Sequence, residues 1–494
     1  MHFHSRLYLA VCLCLFFSFT TGAQQCDCGK EFTFLCTYIE KNYPGYNDKI
    51  PDYKDLNYKT FTEEYTAKTT GETNITYCMV FMKEWLKYFK DNHLQIAANP
   101  LMGEDSVILA GRIKNAETLT ITPETLKELK KSKGVEGIYY EYDSVYKVAV
   151  IKAPNSWRTY AAVVLESRNK NWIPGMVKFE MKEKNDSSKV GKKWYPDYPC
   201  IFHMGNHGIY TNKIMSFSGF GLDGGMWKKD GLKESATEQA ERNKLAKEKK
   251  TNPKKGWNYS EFNKPDDQVA YMRISNFDAS VAEEIDSFVK ANDAVVSSTP
   301  YLVLDLRGNG GGSDRSFQSL LPYIYTKPII SVGMGALATR DNIDADKAVL
   351  TKVKQDDIKR WINREITQME ENYGRYTPIS IDTFKLDSVK RYPEKIVVLI
   401  NRACASTTEQ FLLAAQQSSK VVMMGETTDG TLDYSNKRQK KFPCIPYTLE
   451  YPITRSGRLP QHPIDNIGIK PDVPAKDDDN LVKEAIKYLK TPKR

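Results

Sequence analysis

The chain has 494 residues, 40% of them hydrophobic and 27% charged, with a formal net charge of +9. That length exceeds what one hydrophobic core fills, so two or three domains are expected. The composition excludes collagen, coiled coil and wholesale disorder. The positive charge is spread along the chain, with one concentration at KLAKEKKTNPKKGW. A nucleic-acid footprint needs aromatics interleaved with such a patch on a recognisable fold. Here the run follows LKESATEQAERN, which reads as a solvated helix passing into a linker over 232–257.

In chain order, MHFHSRLYLAVCLCLFFSFTTGA comes first. Arg6 precedes an apolar run that ends in small residues at Thr21 and Ala23, the order of a cleavable secretory signal over 1–23. No later stretch approaches the ~18 continuous apolar residues that a spanning helix needs. An exported protein without a membrane span, periplasmic or extracellular, is expected. Nine cysteines less Cys12 and Cys14 leave seven: Cys26, Cys28, Cys36, Cys78, Cys200, Cys404 and Cys444. The odd number leaves at least one without an intrachain partner. One or two disulfides near the N-terminus are expected, with no readable pairing, and no paired CxxC spacing points to zinc.

Residues 24–100 read as a helical region, because FTFLCTYIEKNY and YCMVFMKEWLKYFKDNH carry apolar residues at three- and four-residue spacing. Over 101–231 the pattern changes to short β segments such as YKVAVIKA, YAAVVLES and GMVKFEMKE. From 258 to 494 strands and helices alternate: QVAYMRIS, ASVAEEIDSFVKAN, YLVLDLR, DRSFQSLLPYIY, then KIVVLIN, TTEQFLLAAQQ and KVVMMGE. Near-continuous apolar strands separated by helices predict an α/β fold with a buried parallel sheet and crossover helices. A charged, tyrosine-rich insertion interrupts the alternation at about 340–393.

Two loops in this region carry chemistry. DLRGNGGGSD, residues 305–314, puts glycines at 308, 310, 311 and 312 directly after a buried strand. Backbone N–H groups there can converge on a negative oxygen. Neither phosphate-loop spacing, GxxxxGK[ST] or GxGxxG, is met. The second is ACASTTEQF, where Ser406 and Glu409 form a capping box at a helix start. The same geometry suits a nucleophile, since the positive helix end and its free N–H groups stabilise a product oxyanion.

A serine nucleophile needs a base. Beyond the signal the histidines are His93, His203, His207 and His462. His203 and His207 lie among glycines in FHMGNHGIY, a poor setting for a helical metal pair, although a metal-dependent hydrolase built on them is a third, weaker reading. His462 precedes a proline in LPQHPID. His93 ends the amphipathic segment WLKYFKDNHLQI. Spacing alone joins none of them to Ser406.

Together, YLVLDLRGNGGG and VVLINRACASTTEQFLLAAQQSSKVVMMGETTDG resemble the tail-specific (C-terminal-processing) serine peptidase family, in which a DLR-N-GG loop and an SA-S-x-x-E helix start follow in this order. PIDNIGIKPDV resembles its closing G-x-x-PD segment, so the likeness covers most of 265–475. It implies a crotonase/Clp-protease-like core and peptide-bond hydrolysis without a cofactor. Where the lysine-dyad branch has its base lysine, this chain has Thr431. Asp91 and His93 in YFKDNHLQI instead resemble the L-x-D-x-H segment of the histidine-dependent, tricorn-core-like branch. The resemblance implies Ser406 as acylated nucleophile and His93 as general base. Asp465 is expected to orient the histidine, by way of Asn92, and Gly310 or Gly311 with Thr407 to form the oxyanion hole. Asn92 and Asp465 stand where that branch has a serine and a glutamate. Asp305 and Arg307 match family positions and are explained by ion pairing. The middle region occupies the place of a PDZ domain, but FSGFGLDGG is too weak a likeness to identify one. A catalytically inactive relative that binds peptides or another ligand is the alternative reading. Substrate specificity and oligomeric state are carried by no motif.

Overall fold

The computed structural model describes residues 26–50, 56–98, 117–132, 134–141, 145–155, 158–183, 200–202, 207–210, 214–218, 226–231, 260–475 and 480–491. The expected signal at 1–23, the charged stretch 232–257, His203 and most of FSGFGLDGG lie outside these residues, as do the side chains of His207 and Cys200.

A six-stranded sheet organises the C-terminal half, in the order Ser260–Asp266, Val269–Ile274, Tyr301–Asp305, Lys395–Ile400, Val421–Gly425, Val473–Pro474. The first pair is antiparallel and every later pair is parallel. The four inner strands are apolar on both sides because helices cover both faces. Ala282–Val296 and Thr407–Ala415 pack on one face around Phe277, Phe317 and Phe411. Leu481–Lys490 packs on the other against Val303, Val397 and Leu399. The helix expected over 314–325 is mostly 3₁₀, Asp314–Leu320, with one α turn at Leu321–Ile324. Pro322 is the reason: it has no N–H to continue an α ladder and it crowds the residue before it.

The register brings three loops together. Asp305 lies opposite Leu399, Leu399 opposite Met424, and Ile400 opposite Gly425. The loops 306–313, 401–406 and 426–433 therefore emerge side by side at the carboxyl ends of parallel strands, where open α/β sheets bind ligands.

The N-terminal helices share a core with a second sheet. Its strand Tyr447–Ser456 pairs antiparallel with Gln95–Ala98, Met334–Ala336 and Tyr434–Lys441. Phe32, Leu35, Ile39, Trp85 and Phe89 pack with Tyr434, Tyr451 and Ile453. A Cys26–Cys444 disulfide fastens the start of this region to the hairpin, and Cys28–Cys78 joins two of its helices. The insertion supplies helices Arg340–Leu350 and Asp356–Glu371. It clamps the first helix, with Thr339 Oγ1 donating to Asn42 Oδ1 at 2.6 Å and Lys41 pairing with Asp341 at 3.2 Å.

The middle region is an eight-stranded sheet between Gly137 and Lys229 in which every pairing is antiparallel. A short helix, Pro123–Leu129, capped by Thr122, precedes it. No helix among the described residues is long and apolar enough to cross a membrane.

Candidate active site

Strand Lys395–Ile400 ends, the chain turns through 401–405, and Ser406 opens the helix Thr407–Ala415. Ser406 has φ 55° and ψ −121°, a left-handed backbone costing a non-glycine residue about 1–3 kcal/mol unless its surroundings enforce it. Glu409 does much of the enforcing. Its carboxylate is fully buried and accepts four hydrogen bonds. Oε2 takes the N–H of Ser406 at 3.1 Å and of Thr431 at 2.9 Å; Oε1 takes the N–H of Gly430 at 2.8 Å and the Thr428 hydroxyl at 2.5 Å. Burial pushes the Glu409 carboxyl up to about 7, and these donors oppose the shift. Glu409 thus returns to the N-cap, as the capping box predicts, and also grips the neighbouring loop.

Asn309 fastens the glycine loop to the same corner. It is fully buried. Its Oδ1 accepts from Gly311 N at 3.0 Å and Thr408 Oγ1 at 2.8 Å, its Nδ2 donates to Ile274 O at 3.1 Å, and its carbonyl accepts from Ala405 N at 3.2 Å. Gly311 has φ +95°, and a Cβ there would lie 2.6 Å from Ala405 O, 2.8 Å from Thr407 N and 2.9 Å from Ser406 Cβ. No larger residue fits between the loop and the serine corner. Of the two glycines expected as oxyanion donors, Gly311 has its N–H committed to Asn309. Gly310 N–H and Thr407 N–H have no acceptor among the described residues, the latter because the first helical N–H groups have no partner within the helix. Asp305 is fully buried and paired with Arg307 through Nε at 2.9 Å and Nη2 at 2.7 Å, with Tyr271 donating to it at 3.0 Å, so its role is structural. Cys404, two residues before the serine, is no rival nucleophile: its thiol is buried, donates to Leu306 O and is pushed up to about 12.

His93 arrives from the other end of the chain. Helix Ile75–Leu86 and a 3₁₀ turn end at Lys90, which has φ 47°. Asp91 then accepts His93 N at 2.8 Å and the Tyr43 hydroxyl at 2.7 Å. The following strand is locked by its pairing, Gln95 opposite Glu450. His93 is buried, with Nδ1 2.5 Å from the carbonyl oxygen of Tyr434. A carbonyl only accepts, so Nδ1 carries the proton and Nε2 keeps the lone pair. Burial lowers the His93 pKa below its ordinary value and Lys437 adds to the effect; the Tyr434 carbonyl, Asp465 and Asp429 oppose it.

The expected route from Asp465 to His93 needs correction. Asn92 donates to Asp429 Oδ2 at 2.9 Å and Thr431 Oγ1 at 3.2 Å, not to Asp465. Asp465 Oδ1 accepts the N–H groups of Leu432 at 2.8 Å and Asp433 at 2.7 Å, while Asp433 Oδ2 accepts those of Ile464 at 2.6 Å and Asp465 at 2.8 Å. Asp465 therefore braces the peptides that lead to the Tyr434 carbonyl, and that carbonyl holds the imidazole. Burial, then the charge of Asp91, raises the Asp465 carboxyl to about 7.

Ser406 and His93 are consequently held on the same loop, 428–434. The serine side is tied through Glu409 and through Asp429 N donating to Cys404 O at 2.9 Å. The histidine side is tied through Asn92 and Tyr434. His462 is exposed, its N–H on Arg458 O at 2.8 Å. Asn309 and Tyr434 were missed in the sequence. An asparagine between glycines reads as a turn residue, and a backbone carbonyl leaves no side-chain signature.

Residues 268–475 match the profile of Peptidase family S41. They are an S41 peptidase domain. The site just described lies in this domain apart from its histidine arm. Two solved structures share the fold: mature CPAF, and mature CPAF complexed with lactacystin. Each is 13% identical with a TM-score of 0.50; the alignments cover 94% of this chain and 95% and 96% of theirs. The photosystem II D1 C-terminal processing protease also matches, at 13% identity and a TM-score of 0.38 over 91% of this chain and 94% of that one. No curated protein matches the chain.

Proposed function

We propose that this peptidase is an exported endopeptidase that works through an acyl-enzyme on Ser406 with His93 as its base. Ser406 Oγ attacks the scissile carbonyl while His93 Nε2 takes its proton. The Tyr434 carbonyl holds the imidazole at Nδ1, and the negative charges of Asp465 and Asp429 favour the imidazolium that forms. Gly310 N–H and Thr407 N–H receive the oxyanion at the positive end of the helix, each donor contributing about 3–4 kcal/mol to the transition state. His93 then protonates the leaving amine, and water, activated by the same nitrogen, releases the acyl group. Asp465 and Asn92 are positioning residues in this scheme, acting through Leu432–Tyr434 and through Asp429 and Thr431. The disulfides Cys26–Cys444 and Cys28–Cys78 support export, since such bonds persist in oxidising compartments.

The observation that carries the reading is the hydrogen bond from His93 Nδ1 to a carbonyl, which leaves Nε2 unprotonated in a buried, neutral ring. Intact mass after fluorophosphonate treatment tests it. The expected result is one adduct mapping to Ser406, absent from Ser406→Ala and His93→Ala. A folded wild-type protein that takes up no label overturns the reading in favour of a ligand-binding relative.

A further inference from the structure

The carbonyl that holds His93 sits on an open strand edge. Asp433 O accepts Ser456 N at 2.8 Å, so the Tyr434 carbonyl, one residue on, points to the opposite side, away from the strand Tyr447–Ser456. Among the described residues no strand pairs along that edge of Tyr434–Lys441. The ladder therefore leaves the aim of this carbonyl to whatever else holds Tyr434.

What holds it is the phenol. Tyr434 lies directly opposite Arg455, which puts the two side chains on one face of the hairpin. Asp48, in the short helix Tyr46–Lys49, bridges them. Its Oδ2 accepts the Tyr434 hydroxyl at 2.7 Å and Arg455 Nε at 2.6 Å, and its Oδ1 accepts Arg455 Nη2 at 3.1 Å. Burial, then Asp48, pushes the Tyr434 hydroxyl up, so it keeps its proton and donates. The Tyr434 ring is buried, 5.5 Å from that of Tyr43 between centroids, with Lys49 Nζ 5.0 Å from its own centroid. Tyr43 in turn donates to Asp91, which accepts His93 N. The two groups that fix His93, Asp91 and the Tyr434 carbonyl, are thus joined through one tyrosine pair that Asp48 anchors. The charges that bear most on the imidazole are those of Lys437, Asp465 and Asp429. The route from Asp48 runs through Tyr434.

We propose that Asp48 is a positioning residue for the base: with Arg455 it anchors the Tyr434 phenol and thereby keeps the Tyr434 carbonyl aimed at His93 Nδ1. Without it the Tyr434 ring pivots on its contact with Tyr43, the carbonyl turns from the imidazole, and the lone pair on Nε2 loses its fixed direction. The assignment rests on the serine–histidine reading above.

Labelling of Ser406 by a plain alkyl fluorophosphonate, followed by intact mass as a function of pH, tests it in Asp48→Ala, Tyr434→Phe and the double variant. Each single change is expected to slow labelling at the pH plateau about tenfold, a fraction of the roughly 10²–10⁴ that a positioned base supplies. The double variant is expected to be no slower than either single one, since both remove the same hydrogen bond. The midpoint of the acid limb is expected to fall, because the carbonyl that raises the His93 pKa by accepting from the imidazolium is no longer aligned. A merely structural loss lowers the plateau and leaves the midpoint in place. Tyr434→Phe removes a single oxygen and carries the test if Asp48→Ala does not fold. A plateau rate within about twofold of wild type in Tyr434→Phe, losses that add in the double variant, or a midpoint that stays or rises overturns the assignment to Asp48. Wild-type labelling at Ser406 then leaves the serine–histidine reading standing. If the wild type does not label at Ser406, both fall together.

Discussion

The serine corner and the histidine arm meet on one loop but are built in opposite ways. Ser406, Glu409 and the glycine loop belong to neighbouring parallel strands, and Asn309 and Glu409 fix their geometry within the S41 domain. His93 lies 313 residues before Ser406 in the sequence. It is delivered by a shared aromatic core, one strand pairing and a disulfide. The proposed nucleophile and oxyanion donors thus lie along one sheet edge. The position of the proposed base, His93, depends on how a separate stretch of chain docks onto it. A lesion on the serine side should damage chemistry with docking intact, and a lesion on the histidine side should weaken docking first.

Gly311→Ala is the strongest way to break the serine side. The added Cβ must move Ala405 O or Thr407 N, which displaces an oxyanion donor, so kcat is expected to fall about 10²–10³-fold in steady-state assays. A variant with wild-type kcat would mean that the loop does not face the reacting carbonyl. Glu409→Gln comes next. It sets an amide N–H₂ against two of the four donors, and a loss of about 1–3 kcal/mol of stability with a tenfold or larger fall in kcat is expected by thermal melting and kinetics.

On the histidine side, replacing Cys26 and Cys444 together by serine is expected to cost about 2–4 kcal/mol of stability, with only a few-fold change in kcat while the protein stays folded. A loss of kcat as large as that of Gly311→Ala would show that docking, and not the sheet edge, sets the geometry. The smallest effect is in pH. His93 is lowered by burial, so it stays neutral until the pH falls below the ordinary value of about 6.5. The acid limb of kcat/KM should therefore have its midpoint under about 6.5, and a midpoint at or above 7 would assign it to another group.

The sequence reveals the serine side far better than the histidine side, for the same physical reason. Strand, glycine loop, strand and capped helix are local patterns, and apolar runs such as YLVLD and KIVVLI identify a buried parallel sheet without any knowledge of partners. The second role of Glu409 is hidden because its partners at 428–431 lie beyond the helix that it caps. His93 was recognisable only by resemblance, since nothing in WLKYFKDNHLQI encodes a pairing with residues near 450. The insertion at 340–393 read as a charged interruption. Its Thr339, Asp341 and Asn342 instead reach the end of the first helix, and neither side of that contact carries a local signal.

The most direct test is a double-mutant cycle on kcat/KM with Ser406→Ala, His93→Ala and the double variant. If the two residues act as one unit, each single change costs about 10⁴-fold or more and the double is no slower than either. Losses that add in the double variant, or a His93→Ala protein within tenfold of wild type, would contradict the pairing of an N-terminal base with the serine of the S41 domain.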